Sequence, residues 1–149
     1  MAVAFTKINK FIESLAAGIA GNVFTGSTDA FKICLVADSP AAMKNYADLT
    51  NEAAHSATNG YATGGNAAAF STGAVTAGTL KLVLTSPTAW TCGGSAQTIG
   101  PFRYAVLYNS TPAAAPLIAF LDYGSAITLA VGETFTVTLD GTNGVLTFA

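Results

Sequence analysis

Few residues in this chain of 149 could do chemistry: one histidine, two cysteines and eight acidic side chains. His55, with Asp48 and Glu52 close by, has the composition of a nucleophile-activating group, the imidazole taking a proton from a serine or threonine and a carboxylate orienting it. Serine and threonine are abundant throughout, no nucleophile elbow is present and the surroundings of His55 are polar, so it reads as a solvated loop histidine. Glu52, Asp122, Glu133 and Asp140 are the carboxylates that a glycosidase pair would draw on. Asp122 at a strand end and Asp140 in a hairpin are better explained as turn and strand-end acids.

Gly60-Tyr61-Ala62-Thr63-Gly64-Gly65 has the glycines of a phosphate loop but lacks the Gly-Lys-Ser/Thr ending, and no basic residue follows. A single histidine and Cys34 and Cys92 do not assemble a zinc set. The two thiols could pair, but without a secretion signal they read more readily as free, buried cysteines. Trp90 and the five tyrosines could form a sugar-stacking platform, although a core of ordinary size already needs most of them. No catalytic, cofactor or metal site is expected.

Composition narrows the partners. Charged residues make up 9% of the chain, against roughly 25% in an average soluble domain. The net charge is −2 and Lys and Arg do not cluster, which argues against direct nucleic-acid binding, since phosphates need several cations. Mean hydropathy is +0.48, yet no run approaches the roughly 18–20 apolar residues of a membrane span. The most apolar stretch, Ala113–Leu121, is broken by Pro116. The N-terminus lacks the pattern of a signal peptide, so synthesis in a cytoplasm is the default. A chain with so few charges is expected to hide surface against its own copies or a larger assembly.

The elements that would position these residues are mostly strands. Phe102–Tyr123 holds two apolar runs joined by a Ser-Thr-Pro turn, a central hairpin. Tyr104, Val106 and Tyr108 fall on one face and Ala105 and Leu107 on the other, so both faces should be covered. Phe5, Ile8, Phe11, Ile12, Leu15 and Ile19 recur at spacings of three and four, predicting an amphipathic helix over Thr6–Ala20. That helix either packs on its own domain or docks on a neighbouring subunit. Residues 1–25 are set apart as this helical arm and 26–149 as the β domain.

Ala30–Ala37 is the first strong strand, ended by Asp38-Ser39-Pro40. Ala41–Ala69 reads as a long ordered excursion, with Tyr46, Leu49 and Tyr61 as anchors. Strands resume at Thr79–Leu84 and Thr88–Thr91. Glu133–Leu139 alternates strictly, with Phe135, Val137 and Leu139 inward and the threonines outward. Asp140–Gly144 is hairpin chemistry, returning Val145–Phe148 as a closing strand. About six or seven short strands predict a mainly β chain, an antiparallel sandwich or barrel-like domain with an N-terminal amphipathic helix.

One ordered set of segments resembles a known group. Leu49-Thr50-Asn51-Glu52, the Gly60–Gly65 turn, Arg103-Tyr104-Ala105-Val106-Leu107-Tyr108, Gly132-Glu133-Thr134-Phe135 and Asn143-Gly144-Val145-Leu146 are similar, in this order, to segments of small virion structural proteins of tailed bacteriophages. The resemblance runs from about Ala30 to the C-terminus. It implies a β-sandwich in the virion, foremost a capsid decoration or cement protein whose partner is the major capsid protein. Decoration proteins in general suggest a homo-oligomer, a trimer where three-fold lattice points are capped. A tail or head–tail connector component is the next reading, and a glycan-binding adhesin on the virion surface the third.

Overall fold

A strand that is apolar on both faces must be covered on both, and the segment around Tyr104 is. Tyr104, Val106 and Tyr108 on one face and Ala105 and Leu107 on the other are all buried. The computed structural model describes residues 5–17, 29–37, 49, 60–93 and 97–148. In chain order the elements are β1 (Thr6–Lys7), α1 (Asn9–Ala16), β2 (Phe31–Val36), β3 (Asn66–Ala67), β4 (Phe70–Thr76), β5 (Thr79–Leu84), β6 (Trp90–Thr91), β7 (Ile99–Asn109), β8 (Leu117–Leu129), β9 (Thr134–Phe135) and β10 (Leu146–Phe148). They form a five-stranded sheet in the order β1-β8-β7-β2-β3, a three-stranded sheet β10-β5-β4 and a two-stranded β6-β9 pair. The fold is mainly antiparallel β, as the sequence predicts.

The β7–β8 hairpin is the centre of the larger sheet. Its strands run to 11 and 13 residues, longer than the apolar runs that announce them. Asn109 ends β7 and is the one buried polar residue among those described; its Oδ1 accepts from Thr111 N at 3.0 Å and its N donates to Pro116 O at 3.0 Å. Both bonds close the turn.

Residues opposite one another in an antiparallel ladder share a face. The pairs Leu35↔Ala105, Ile33↔Leu107, Leu107↔Ala119 and Ala105↔Leu121 therefore build one face. Val36↔Tyr104, Cys34↔Val106 and Val106↔Phe120 build the other. The first face packs on the three-stranded sheet: Phe31, in register with Asn109, lies 6.4 Å from the Phe70 ring of β4. At the other edge Lys7 Nζ donates to Thr147 O of β10 at 2.7 Å. Two stacked layers with a shared apolar interior are a sandwich arrangement.

On the second face the 60–65 loop is tied down by two tyrosines. Tyr108 Oη donates to Gly64 O at 2.7 Å, and Leu35 N donates to Tyr61 Oη at 3.0 Å. Burial pushes the Tyr108 phenol up to about 12 and the Tyr61 phenol higher still. The expected anchors Tyr61 and Leu49 do hold: Tyr61 is buried, and Leu49 packs against the core with its N donating to Ala115 O. Tyr46 lies outside the described residues. Cys34 and Cys92 are both buried, and the two are not joined in a disulfide.

Four expectations need correction. The helix spans Asn9–Ala16 and not Thr6–Ala20, because the outer edge of β8 captures Thr6 and Lys7 as a strand, opposite Phe120 and Ala119. Ile8 N then donates to Ile118 O, so its backbone stays extended and the helix begins one residue later. Apolar periodicity cannot report that competition. The segment Phe5–Ala17 is thereby built into the sheet and core and does not stand off as an arm.

The second correction is β4, inside a region where no strand was expected. It pairs with β5 through Ala77-Gly78, both at positive φ (50° and 81°), the left-handed pair of a tight two-residue hairpin. Third, the alternating stretch Glu133–Leu139 keeps its burial pattern, Val137 and Leu139 in and Thr136 and Thr138 out, but only Thr134 and Phe135 join a ladder, with β6. Fourth, the closing strand does not return on that stretch. The Asp140 turn forms, its Oδ1 accepting from Thr142 N and Asn143 N at 2.8 and 2.7 Å. Beyond it β10 pairs with β5, where Leu146 meets Leu82 and both are buried. A buried apolar cross-strand pair outweighs the local closure that the turn alone suggests.

Candidate functional site

Two charged residues of the central hairpin meet. Arg103 on β7 donates from Nε to Asp122 Oδ1 at 2.7 Å and from Nη2 to Asp122 Oδ2 at 2.9 Å. This two-point geometry is the strong form of the ion pair. Asp122 Oδ1 also accepts from Gly124 N at 2.8 Å. The Arg103 guanidinium, and after it the Gly124 N–H, hold the Asp122 carboxyl below its ordinary value. Asp122 lies inside β8, not at a strand end, which corrects its assignment as a strand-end acid.

Just past this pair the ladder jumps. Tyr104 faces Asp122, but the next matched pair is Phe102↔Ile127. Residues 123–126 therefore leave the ladder as a wide bulge. Tyr123, its first residue, is 58% exposed. The ring is braced by Phe135, with centroids 6.0 Å apart at 71°. Phe135 in turn packs on Phe102 at 5.0 Å and Trp90 at 6.2 Å, so the brace is part of the core.

Opposite the bulge runs the extended segment Phe135–Asp140, pinned by Val137 and Leu139 and by the bond from Leu139 N to Ser86 Oγ at 2.9 Å. Between the two lies a groove of about 540 Å³. Ala105 and Leu121 supply its apolar floor, the Arg103–Asp122 pair and Tyr123 one wall, and Thr136 and Thr138 the other. A smaller groove of about 360 Å³ lies on the far side of residues 138–140, against Phe5, Lys7 and β10.

The other carboxylates are engaged locally. Glu133 Oε2 accepts from Ala130 N at 2.7 Å, and Asp140 Oδ2 from Asn143 Nδ2 at 2.9 Å. Each serves its own turn, and turn N–H groups hold Asp140 below its ordinary value. His55, Asp48 and Glu52 lie outside the described residues. Among the described residues no group of three or more His, Cys, Asp or Glu is placed to hold a metal ion, and no helix is long and apolar enough to cross a membrane. Trp90 is fully buried, so it offers no stacking surface to a sugar.

The helical stripe divides. Ile8 and Phe11 are buried in the chain's own core, Phe5 and Leu15 pack partly against it, and Ile12 is 40% exposed. Ile19 lies outside the described residues. Of the six residues expected to form a docking face, Ile12 alone is exposed among those described. Sequence reading missed the Arg103–Asp122–Tyr123 group. Its signal was the presence of one cation and one anion in an otherwise apolar hairpin, which a register count from the turn would have brought together.

No family model matches the chain, and neither a characterised protein nor a solved structure proves similar to it.

Proposed function

We propose that the chain is a bacteriophage virion structural protein, most specifically a capsid decoration protein that binds the assembled lattice of major capsid subunits. In this reading it acts by contact and catalyses no reaction. The ordered resemblance of its segments to small virion proteins gives the class. One structural observation carries the emphasis on subunit contact: the outer edge of β4. This strand, Phe-Ser-Thr-Gly-Ala-Val-Thr, has no charge and no proline, and no further strand pairs with it among the described residues. Val75 on it is 69% exposed. Soluble proteins protect such edges with lysine, proline or a covering element. An edge that no strand pairs with, among the described residues, along seven residues suits a strand that meets another copy, and we place the contact between copies of the homo-oligomer there, a trimer at three-fold lattice points.

The effect on the shell is linkage. A protein that binds only the assembled lattice draws the equilibrium away from disassembly. The test is the copy number of the chain in purified virions of the phage that encodes it, by quantitative mass spectrometry against the major capsid protein. A copy number on the scale of the capsid subunits supports decoration. A number matching one vertex moves the chain to the tail or connector, and absence from the particle overturns the virion reading.

A further inference from the structure

We infer that the groove beside Tyr123 is a binding site for a neutral saccharide. The inference goes beyond the lattice-contact reading and stands or falls separately from it.

A pyranose presents two kinds of surface: an apolar face of C–H groups and a rim of hydroxyls, each both donor and acceptor. The groove offers a counterpart to each. Tyr123 supplies an exposed aromatic plate in edge-to-face contact with Phe135, which lines the groove with it, so stacking a sugar face on it costs little side-chain freedom. Beside the plate, Arg103 and Asp122 form a planar fork using Nε and Nη2 on one side and the two carboxylate oxygens on the other. That leaves the guanidinium with further N–H donors on Nη1 and Nη2 and, because Asp122 Oδ1 also accepts from Gly124 N, the carboxylate with a lone pair on Oδ2. Adjacent sugar hydroxyls match this arrangement, one accepting from the guanidinium and its neighbour donating to the carboxylate. Thr136 and Thr138, both exposed, put two more hydroxyls on the opposite wall.

Charge selects among polar ligands. Arg103 and Asp122 cancel, and Asp140 at the end of the groove is committed to the N–H groups of its own turn. Among the described residues no uncompensated cation lines the groove, so a phosphate or an acidic sugar gains nothing there, whereas an uncharged ligand rich in hydroxyls does. The volume, about 540 Å³, is within the usual range for small-ligand sites.

The experiment uses the full chain, labelled and applied to an array of immobilised glycans, neutral, sialylated and phosphorylated, with a parallel array of extended peptides. Tyr123→Ala and Thr136→Val are compared with Val131→Ala, an exposed residue outside the groove, and folding is checked by circular dichroism. The expected result is selective retention of neutral glycans, weakened at least about tenfold by Tyr123→Ala, reduced by Thr136→Val and unchanged by Val131→Ala. Failure to retain any neutral glycan overturns the proposal, and so does retention indifferent to both groove variants. A preference for charged glycans, or for peptides, that depends on Tyr123 overturns it equally.

Discussion

Arg103 and Asp122 meet at the point where the β7–β8 ladder stops being regular. The two-point pair closes the last rung before the bulge, Tyr104↔Asp122, and the same carboxylate takes the N–H of Gly124, two residues into the bulge. One side chain thus secures the rung on which the ladder breaks off and the start of the excursion that carries Tyr123.

That arrangement predicts an acid limb in stability. Because Arg103 and Gly124 depress the native Asp122 carboxyl below its ordinary value of 3.8, its contribution is present in full above that value. It is lost as pH falls from there through the depressed native value. Both side chains are about one-third exposed (36% and 31%), so solvent keeps the effect modest. Thermal melts of the wild type and Asp122→Asn across the acid range should differ at neutral pH and converge at low pH. A gap that stays constant with pH would remove the linkage.

The aromatic brace should divide sharply into core and surface. Phe102→Ala should cost about 3–5 kcal/mol in urea denaturation, the range for emptying a buried aromatic site. Tyr123→Ala should stay within about 0.5 kcal/mol, since its ring is largely exposed. Equal losses for the two would contradict the bulge geometry.

Two glycines separate packing from backbone strain. Gly65 has φ +74° and a Cβ there would overlap Ile33 O on β2; Gly78 has φ +81° and nothing within 4 Å of its Cβ position. Gly78→Ala should therefore lose only the left-handed penalty, about 1–2 kcal/mol. Gly65→Ala should lose clearly more, or fail to fold, as the loop is forced off the sheet. The comparison is read from chemical denaturation midpoints.

The N-terminal stripe should behave as core with one exception. Phe11→Ala is expected to destabilise by about 3–5 kcal/mol, because the ring is buried and lies 6.0 Å from Phe148. Ile12→Ala should leave the melting temperature nearly unchanged. If Phe11→Ala melts like the wild type, α1 is not packed as described.

The contact between copies proposed at the β4 edge is tested by one charge. Val75→Lys should keep the fold, as the side chain points into solvent, while light scattering shows the oligomer shifted to monomer and loading onto capsids reduced. An unchanged oligomer would place the contact between copies elsewhere.

What could be read from the sequence follows where the information is local. The β7–β8 hairpin announces itself because its residues are apolar in an unbroken run, and Val137 and Leu139 because theirs alternate. β4 does not, since Ser71, Thr72 and Gly73 carry neither pattern and the strand exists through its ladder to β5. The partner of β10 was misread for the same reason: turn chemistry reports that the chain reverses, and the buried face of β5 decides where it lands. The Arg103–Asp122 site depends on register across a turn, which residue types do not state.

Pairing across such distances along the chain also sets an order in time. Thr6 and Lys7 leave the ribosome long before their partners, Phe120 and Ala119. β5 likewise waits for β10. During synthesis the apolar face of Ile8 and Phe11 has no strand to cover it, so the nascent chain must stay soluble with that face bare. Closure of the sheet then waits for β8 and β10 as a late step, the kind of long-range pairing that folds slowly and gives chaperones their opening.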